Sequence, residues 1–299
     1  MDKFEAMQRF VLVAQSGSFT KAADALGLPK SSVSHSVQSL EKNLGIRLFH
    51  RSTRSVTLTQ DGETYFPQCQ AILAEMDALD SQFQREPDDI RGVLRIDMPS
   101  RFASTVVIPH LADFLQTYPN IQLKISSADY RVDPVKQGID CVVRVGDLND
   151  SSLIARPLTQ YRSVNCVSPS YAEKFGIPQT LPELVHHKLI EYSHTLGNID
   201  AQFEYTEDGK VKQLSMPSSL AVNGTDAYLK ACLSGLGIAQ IPVIGVESFI
   251  QQGQLMAILP EYEAAPMPVS LLYPSRRLPP KRLVVFMTWL HTLIAKIEA

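Results

Sequence analysis

Three glycines, Gly17, Gly27 and Gly45, cut the first 45 residues into three short segments, and each segment carries apolar side chains at helical spacing. They fall at Phe4, Met7, Phe10, Val11 and Ala14, then at Ala22, Ala23 and Leu26, then at Val33, Val37, Leu40 and Leu44. Glycine just past the last periodic residue takes the left-handed conformation that ends a helix. Ser18 stands where the second helix needs an N-cap, and Pro29 stands at or just before the first turn of the third. The small side chains Ala22 and Ala23 let another helix come close. Two short helices joined by a tight turn, behind a supporting first helix, predict a helix-turn-helix.

The third helix has a polar face opposite its apolar stripe. With about 3.6 residues per turn, Ser31, His35, Gln38 and Lys42 line up on that face, and none is an acid. Its first turn, Lys30-Ser31-Ser32-Val33-Ser34, crowds hydroxyls and a cation around a positive helix terminus, a composition suited to phosphates and base edges in a major groove. The next stretch, Ile46 to Leu58, has three arginines and no acid, and it changes to a strand-like pattern with a turn around Ser52-Thr53. That describes a β-wing whose arginines reach phosphate or a minor groove. Charge agrees. Residues 1–62 hold eight Lys/Arg against five Asp/Glu, a net +3, whereas the rest of the chain carries −6 of the total −3. A basic head on an acidic body points to nucleic acid.

After Gly62 a long helix is predicted from about Glu63 to Arg85, with Phe66, Cys69, Leu73, Met76, Leu79 and Phe83 at near-heptad spacing. Such a stripe between two domains needs a partner, and a second subunit is the simplest one. Glu86-Pro87-Asp88-Asp89 ends the helix, because proline cannot continue it. From Gly92 strands and helices alternate: Val93–Met98, helix Ala103–Tyr118, Ile121–Ser126, helix Pro134–Gln137 and Cys141–Val145. A second series from Ser163 has helices near Ser170–Phe175 and Thr225–Ser234 and strands at Leu189–Tyr192 and Ile238–Ile241. The strand Val269–Tyr273 and the helix Lys281–Ile297 return to the first series. The α/β class with open parallel sheets follows, in two lobes with a double crossover and a cleft between them for a small ligand.

These residues resemble the LysR family of bacterial transcriptional regulators. The match runs through Gly17-Ser18-Phe19-Thr20-Lys21-Ala22-Ala23-Asp24-Ala25-Leu26, Ser32-Val33-Ser34, Leu40-Glu41-Lys42-Asn43-Leu44-Gly45, Leu48-Phe49-His50-Arg51-Ser52-Thr53-Arg54 and Leu58-Thr59-Gln60-Asp61-Gly62. The remainder is similar to the family's effector domain, built like type 2 periplasmic binding proteins. The resemblance implies a winged helix-turn-helix over 1–62, a linker helix and hinge over 63–88, and an effector domain over 89–299. Within the effector domain, lobe I spans 92–161 and 266–299 and lobe II spans 162–265. DNA contacts are then expected from Thr20, Lys30, Ser31, Ser32, Ser34, His35, Gln38, Arg51 and Arg54. Many members carry glutamine and proline where this chain has Pro29-Lys30, which leaves the base preference open. The linker stripe Phe66, Leu73, Met76, Leu79 and Phe83 is expected to pair subunits into a dimer of dimers. The loop Ser100-Arg101-Phe102-Ala103, the strand ends Asp129 and Gly146, and the turn Asn223-Gly224-Thr225-Asp226 are expected to line the effector cleft. A hydroxyl, a guanidinium and a helix start together favour a carboxylate or similar anion, although Asp226 would repel one.

Other classes fit less well. Gly235-Leu236-Gly237 lacks the third glycine of a dinucleotide fingerprint and follows a helix, so it reads as a helix stop. His186-His187 reads as a surface pair without a third ligand at metal spacing. No nucleophile elbow occurs, and neither an enzymatic role nor a cofactor is expected. The four cysteines, Cys69, Cys141, Cys166 and Cys232, form no CxxC pair, which argues against a zinc ribbon or disulfide scaffold; a thiol-based redox sensor of the same family is the alternative. Apolar runs such as Phe10 to Ala14 are far shorter than a membrane span, and the first residues carry no secretory pattern, so a cytoplasmic protein is expected. A solute-binding protein would leave the first 62 residues unexplained. The expected partners are promoter DNA, a small effector and other copies of the chain, with RNA polymerase as a further candidate and no membrane.

Overall fold

A computed structural model describes residues 2–51, 56–127, 129, 134–146, 148, 153–193, 201–274 and 279–298. The amino-terminal part packs helices α1 (Lys3–Ser16), α2 (Phe19–Leu26) and α3 (Lys30–Leu44) around Phe10, Val33, Val37 and Leu40, all fully buried. Asp2 caps α1 and Ser18 caps α2, each accepting a backbone N–H of the first turn. Gly27 and Gly45 close α2 and α3 at φ of 62° and 71°, where a side chain would be strained. Strands β1 (Phe49–Arg51) and β2 (Val56–Leu58) pair antiparallel, Phe49 opposite Leu58. Helix α4 (Gln60–Ser81) follows, capped by Thr59. Gly62 is required there, because a Cβ would lie 2.2 Å from the Leu48 carbonyl oxygen.

Helix α4 starts earlier and ends earlier than the periodicity predicts, and its stripe divides. Phe66, Cys69 and Leu73 pack against the helix-turn-helix core, whereas Ile72, Met76, Leu79 and Phe83 are exposed, Phe83 lying beyond the helix end. Phe66 and Leu73 are therefore engaged within their own chain: the helix must first dock its near end before presenting anything to another subunit.

The body begins with β3 (Gly92–Met98), a short helix α5 (Ser100–Phe102), α6 (Leu111–Thr117), β4 (Ile121–Ser127), α7 (Pro134–Gln137), β5 (Cys141–Val145) and β6 (Leu153–Tyr161). The single helix expected over 103–118 is broken. Residues 103–107 wind as a π-turn and Ile108–His110 as a 3-10 turn, because Pro109 has no N–H to continue the ladder. The chain then crosses into β7 (Ser163–Val167), α8 (Pro169–Phe175), β8 (Ile190–Tyr192), the hairpin β9 (Gln202–Glu207) and β10 (Lys210–Ser215), β11 (Leu220–Val222), α9 (Thr225–Leu233), β12 (Ala239–Pro242), α10 (Glu247–Gln251) and β13 (Met256–Ala257). It returns through β14 (Met267–Pro274) and ends in α11 (Lys281–Glu298).

Two lobes result. The first sheet has strand order β4-β3-β5-β14-β6, with β3 parallel to β4 and β5 and β14 antiparallel to β5 and β6. It is mixed rather than wholly parallel, since a strand returning from the other lobe enters from the opposite end. Leu94, Ile96 and Met98 alternate on β3 toward Phe114, Phe286 and Leu290. In the second lobe β7 lies between β12 and β13, antiparallel to both, and β8 runs parallel to β11. Its core joins Cys166, Ile190, Leu229, Cys232 and Ile241. The lobes are linked by the chain between β6 and β7 and by the chain between β13 and β14. Among the described residues no helix is long and apolar enough to cross a membrane.

Candidate nucleic-acid interface and effector cleft

Burial of Val33, Val37 and Leu40 turns the other side of α3 outward. Lys30, Ser31, His35, Gln38 and Lys42 are exposed, as is Thr20 on α2, while Ser32 and Ser34 are half-buried. The N-cap position of α3 is Pro29, which offers no side-chain cap, unlike Asp2, Ser18 and Thr59 at the neighbouring helices. The Ser32 N–H turns back to the Pro29 carbonyl at 3.0 Å, while the Lys30 and Ser31 N–H groups ahead of it have no acceptor within the helix and face solvent or an anion. Two polar contacts fix the helix behind that face. The Arg9 guanidinium donates to Ser36 Oγ from α1. The buried Glu41 carboxylate accepts the Leu48 N–H at 2.9 Å and the Phe49 N–H at 3.3 Å. Glu41, missed as a functional candidate, therefore ties the wing to α3. Arg51 ends β1, opposite Val56; Arg54 and the expected turn at Ser52-Thr53 lie outside the described residues.

The cleft lies where α5 of the first lobe faces α9 of the second. Asp129 is the residue on which both lobes converge. Its Oδ1 accepts the Ser100 N–H at 2.9 Å, and its Oδ2 accepts the Thr225 N–H at 2.7 Å and the Thr225 hydroxyl at 3.0 Å. The Ser100 hydroxyl donates to the Ser127 carbonyl at 3.3 Å. Arg101 also crosses the cleft. It donates to the Gly245 carbonyl and pairs with Asp226 at 3.3 Å, and its Nε is buried without a partner among the described residues. Gly245 and Tyr192 were not foreseen as cleft residues; Gly245 is 144 positions from Arg101, a juxtaposition with no local signal in the chain. Burial, with the charge of Asp129 adding to it, pushes the Tyr192 hydroxyl up to about 12.

Several cleft expectations are corrected. Phe102 and Ala103 are buried in the core of the first lobe, Phe102 with its ring 6.4 Å from that of Tyr161, so neither side chain lines the cleft. The turn that starts α5 sends its third and fourth residues inward. Arg101 is engaged with lobe II and is not held out toward an anion, and Asp226 is its partner. Gly146 closes β5 at φ 93° with open space around it, Asn223 is exposed, and Gly224 is the N-cap of α9.

The remaining candidates resolve into structure. Gly235 ends α9 at φ 75°, as a helix stop. His186 is exposed but His187 is buried, its Nδ1 3.2 Å from the Tyr171 hydroxyl, which corrects the surface-pair reading. All four cysteines are free and buried. The sulfurs of Cys166 and Cys232 stand 3.9 Å apart. No group of His, Cys, Asp and Glu side chains among the described residues is placed to hold a metal ion.

Comparison with known proteins accounts for both halves. A family profile described as a bacterial regulatory helix-turn-helix protein of the lysR family matches residues 4–63, and one described as the LysR substrate binding domain matches residues 87–295. An uncharacterised HTH-type transcriptional regulator of Escherichia coli, YhjC, is 43% identical over 290 residues, covering 97% of each chain. An HTH-type transcriptional repressor of Pseudomonas aeruginosa is 36% identical, covering 99% of this chain and 93% of its own. The solved structure of CrgA, a LysR-type regulator from Neisseria meningitidis, superposes with a TM-score of 0.63 at 30% identity, covering 97% of this chain and 98% of its own. The basic, acid-free face on α3 and the two-lobed domain behind it are thus those of a non-enzymatic regulator, and the chain belongs to the LysR family of transcriptional regulators, with a helix-turn-helix domain for DNA and a substrate-binding domain.

Proposed function

We propose that residues 1–62 read a promoter through α3, that residues 63–88 pair subunits toward a dimer of dimers, and that residues 89–299 respond to a small carboxylate in the cleft. Ser31, His35 and Gln38 face base edges, while Lys30, Thr20, Ser32, Ser34 and the wing arginines Arg51 and Arg54 hold phosphates. The observation that carries the DNA reading is the exposed α3 face with no acid on it, fixed from behind by Arg9 and Glu41. The protein works in the cytoplasm, where its DNA is, and RNA polymerase is its partner at promoters it activates.

The test is a salt titration on the DNA upstream of its own gene. Changing both Arg51 and Arg54 to Ala removes two phosphate contacts and lowers the log–log salt slope by about 2; an unchanged slope removes the wing from the interface.

The carboxylate reading rests on Asp129, whose own carboxylate sits against the Ser100 N–H and the Thr225 N–H and hydroxyl. A panel of small aliphatic and aromatic carboxylates, screened by thermal shift, reads binding directly, since a ligand at a hundred times its Kd adds about 2.7 kcal/mol of stability. Thr225→Val diminishes that shift; a shift equal to the parent's excludes this seat. The thiol alternative has one supporting contact, Cys166 against Cys232, but burial of both sulfurs keeps oxidants and the reactive thiolate away.

A further inference from the structure

We infer that Asp129 and Arg101 form a clasp between the two lobes, so that an effector entering the cleft must displace a side chain of the protein itself. The inference rests on reading this cleft as the effector site. Both clasp residues belong to the first lobe, and every partner they reach across the gap belongs to the second. Asp129 stands two residues past the end of β4. Its Oδ1 is held within its own lobe by the Ser100 N–H at 2.9 Å, which aims Oδ2 at the first residue of α9. There Oδ2 takes two donors from Thr225, at 2.7 and 3.0 Å. Arg101, one residue after Ser100, donates to the Gly245 carbonyl and pairs with Asp226. Gly245 has no side chain to hold the guanidinium off, and a Cβ there would come within 3.0 Å of Arg101 Nε.

The bonds differ in strength, which makes the clasp releasable. Asp226 is 71% exposed in its side chain, so water screens its pair with Arg101. The buried Nε of Arg101, without a partner among the described residues, is a standing cost of the closed arrangement. Asp129 supplies the charge-assisted contact, and both its oxygens are engaged. The chain connects the lobes at 162 and between 257 and 267, so breaking these contacts leaves the apolar contact of Ile244 on the first lobe's core and frees a hinge motion rather than unfolding either core. The clasp lowers apparent effector affinity by the fraction of molecules it keeps closed, and a ligand binding the open form shifts that balance.

The experiment measures lobe separation in the full chain without DNA or effector. Spin labels at Asp113→Cys on α6 and Lys230→Cys on α9, both exposed positions, report the distance across the cleft by pulsed electron resonance. The variants are Asp129→Asn and, from the other lobe, Thr225→Val. A side-chain amide has a single acceptor oxygen and cannot serve both the Ser100 and Thr225 N–H groups, while the fold of each lobe is untouched. Both variants are expected to add a longer-distance population, and Arg101→Met to add the same population through different contacts. Distance distributions identical to the parent's in all three overturn the clasp. A change with Arg101→Met alone also overturns Asp129 as its centre. Since neither DNA nor ligand is present, these outcomes stand apart from the tests of the regulator reading, which fail or succeed on salt slope and thermal shift.

Discussion

Arg282, at the second position of the last helix, reaches out of its own lobe to pair with Asp77 on the helix that leads from the DNA-reading domain. The same guanidinium donates to the Val93 carbonyl at 2.9 Å and approaches Asp140 at 3.8 Å, and the residue is only 9% exposed. Beside it the Lys281 N–H donates to Ser81 Oγ at 3.0 Å. One side chain thus fastens α4, β3 and α11 together where the linker helix meets the first lobe.

Removing Arg282 should loosen that joint. Arg282→Ala leaves Asp140 facing a vacated buried site and is expected to cost roughly 3 kcal/mol. Asp77→Ala removes a half-exposed partner and should cost less than about 1 kcal/mol. Trp289 is the sole tryptophan and packs 5.2 Å from Phe114 and 5.5 Å from Phe286, so its fluorescence during urea unfolding reports this lobe. Equal midpoints for the two variants would mean the pairing with Asp77, rather than the buried contacts, carries the joint.

Glu41 makes a second prediction, on the DNA side. Glu41→Ala strands the buried N–H groups of Leu48 and Phe49, at roughly 2 kcal/mol or more. Glu41→Gln keeps one acceptor and should fall between. Hydrogen exchange at Leu48 and Phe49 is expected to speed up in that order, together with weaker binding to any duplex. Exchange rates unchanged in Glu41→Ala would show that the wing is held by its apolar contacts alone.

The thiols give a prediction with a sign. Burial pushes Cys69 up to about 11 and raises Cys141, while the hydrogen bond with Cys232 and then burial raise Cys166. A thiol at about 11 is thiolate in about one molecule in a thousand at pH 8, and the thiolate is the reacting form. The folded protein should therefore react with a thiol reagent orders of magnitude more slowly than the denatured chain, which should titrate all four cysteines. One cysteine reacting within minutes in the folded state would revive the redox reading.

What the chain discloses before folding follows from the range of the forces involved. The helices ending at Gly27 and Gly45 were legible because caps and apolar spacing act within a few residues. The hairpin of β9 and β10 was not, since Glu207, Lys210 and Lys212 share the face of Phe203, Tyr205 and Leu214, while the apolar Val211 stands exposed on the other face. Ser100 and Thr225 could be placed near the cleft from strand-to-helix turns, yet nothing local shows that Asp129 fills the space between them. Phe102 went the other way: Ser100 and Arg101 before it face the cleft, but the sheet beneath claims its ring. Pro109 was readable as a breaker in principle, and the apolar periodicity around it concealed the π-turn.

The outer side of α4 bears the last prediction. Ile72, Met76, Leu79 and Phe83 are 42, 38, 56 and 77% exposed, at successive spacings of four, three and four. Apolar side chains in such a row, on a helix whose adjoining flank is already docked by Cys69 and Leu73, suit pairing with the same helix of a second subunit. Leu79→Asp places a charge in the middle of that row and is expected to shift the protein in sedimentation equilibrium toward the 33.2 kDa of one chain. Glu75→Gln, on the same helix and exposed, should leave the parent's assembly intact. The loss should carry over to DNA, because two linked reading heads bind paired half-sites with about 100-fold or more gain over one. Binding to a single half-site would be spared. A Leu79→Asp protein that sediments with the parent would assign pairing to another surface and leave this row to another partner.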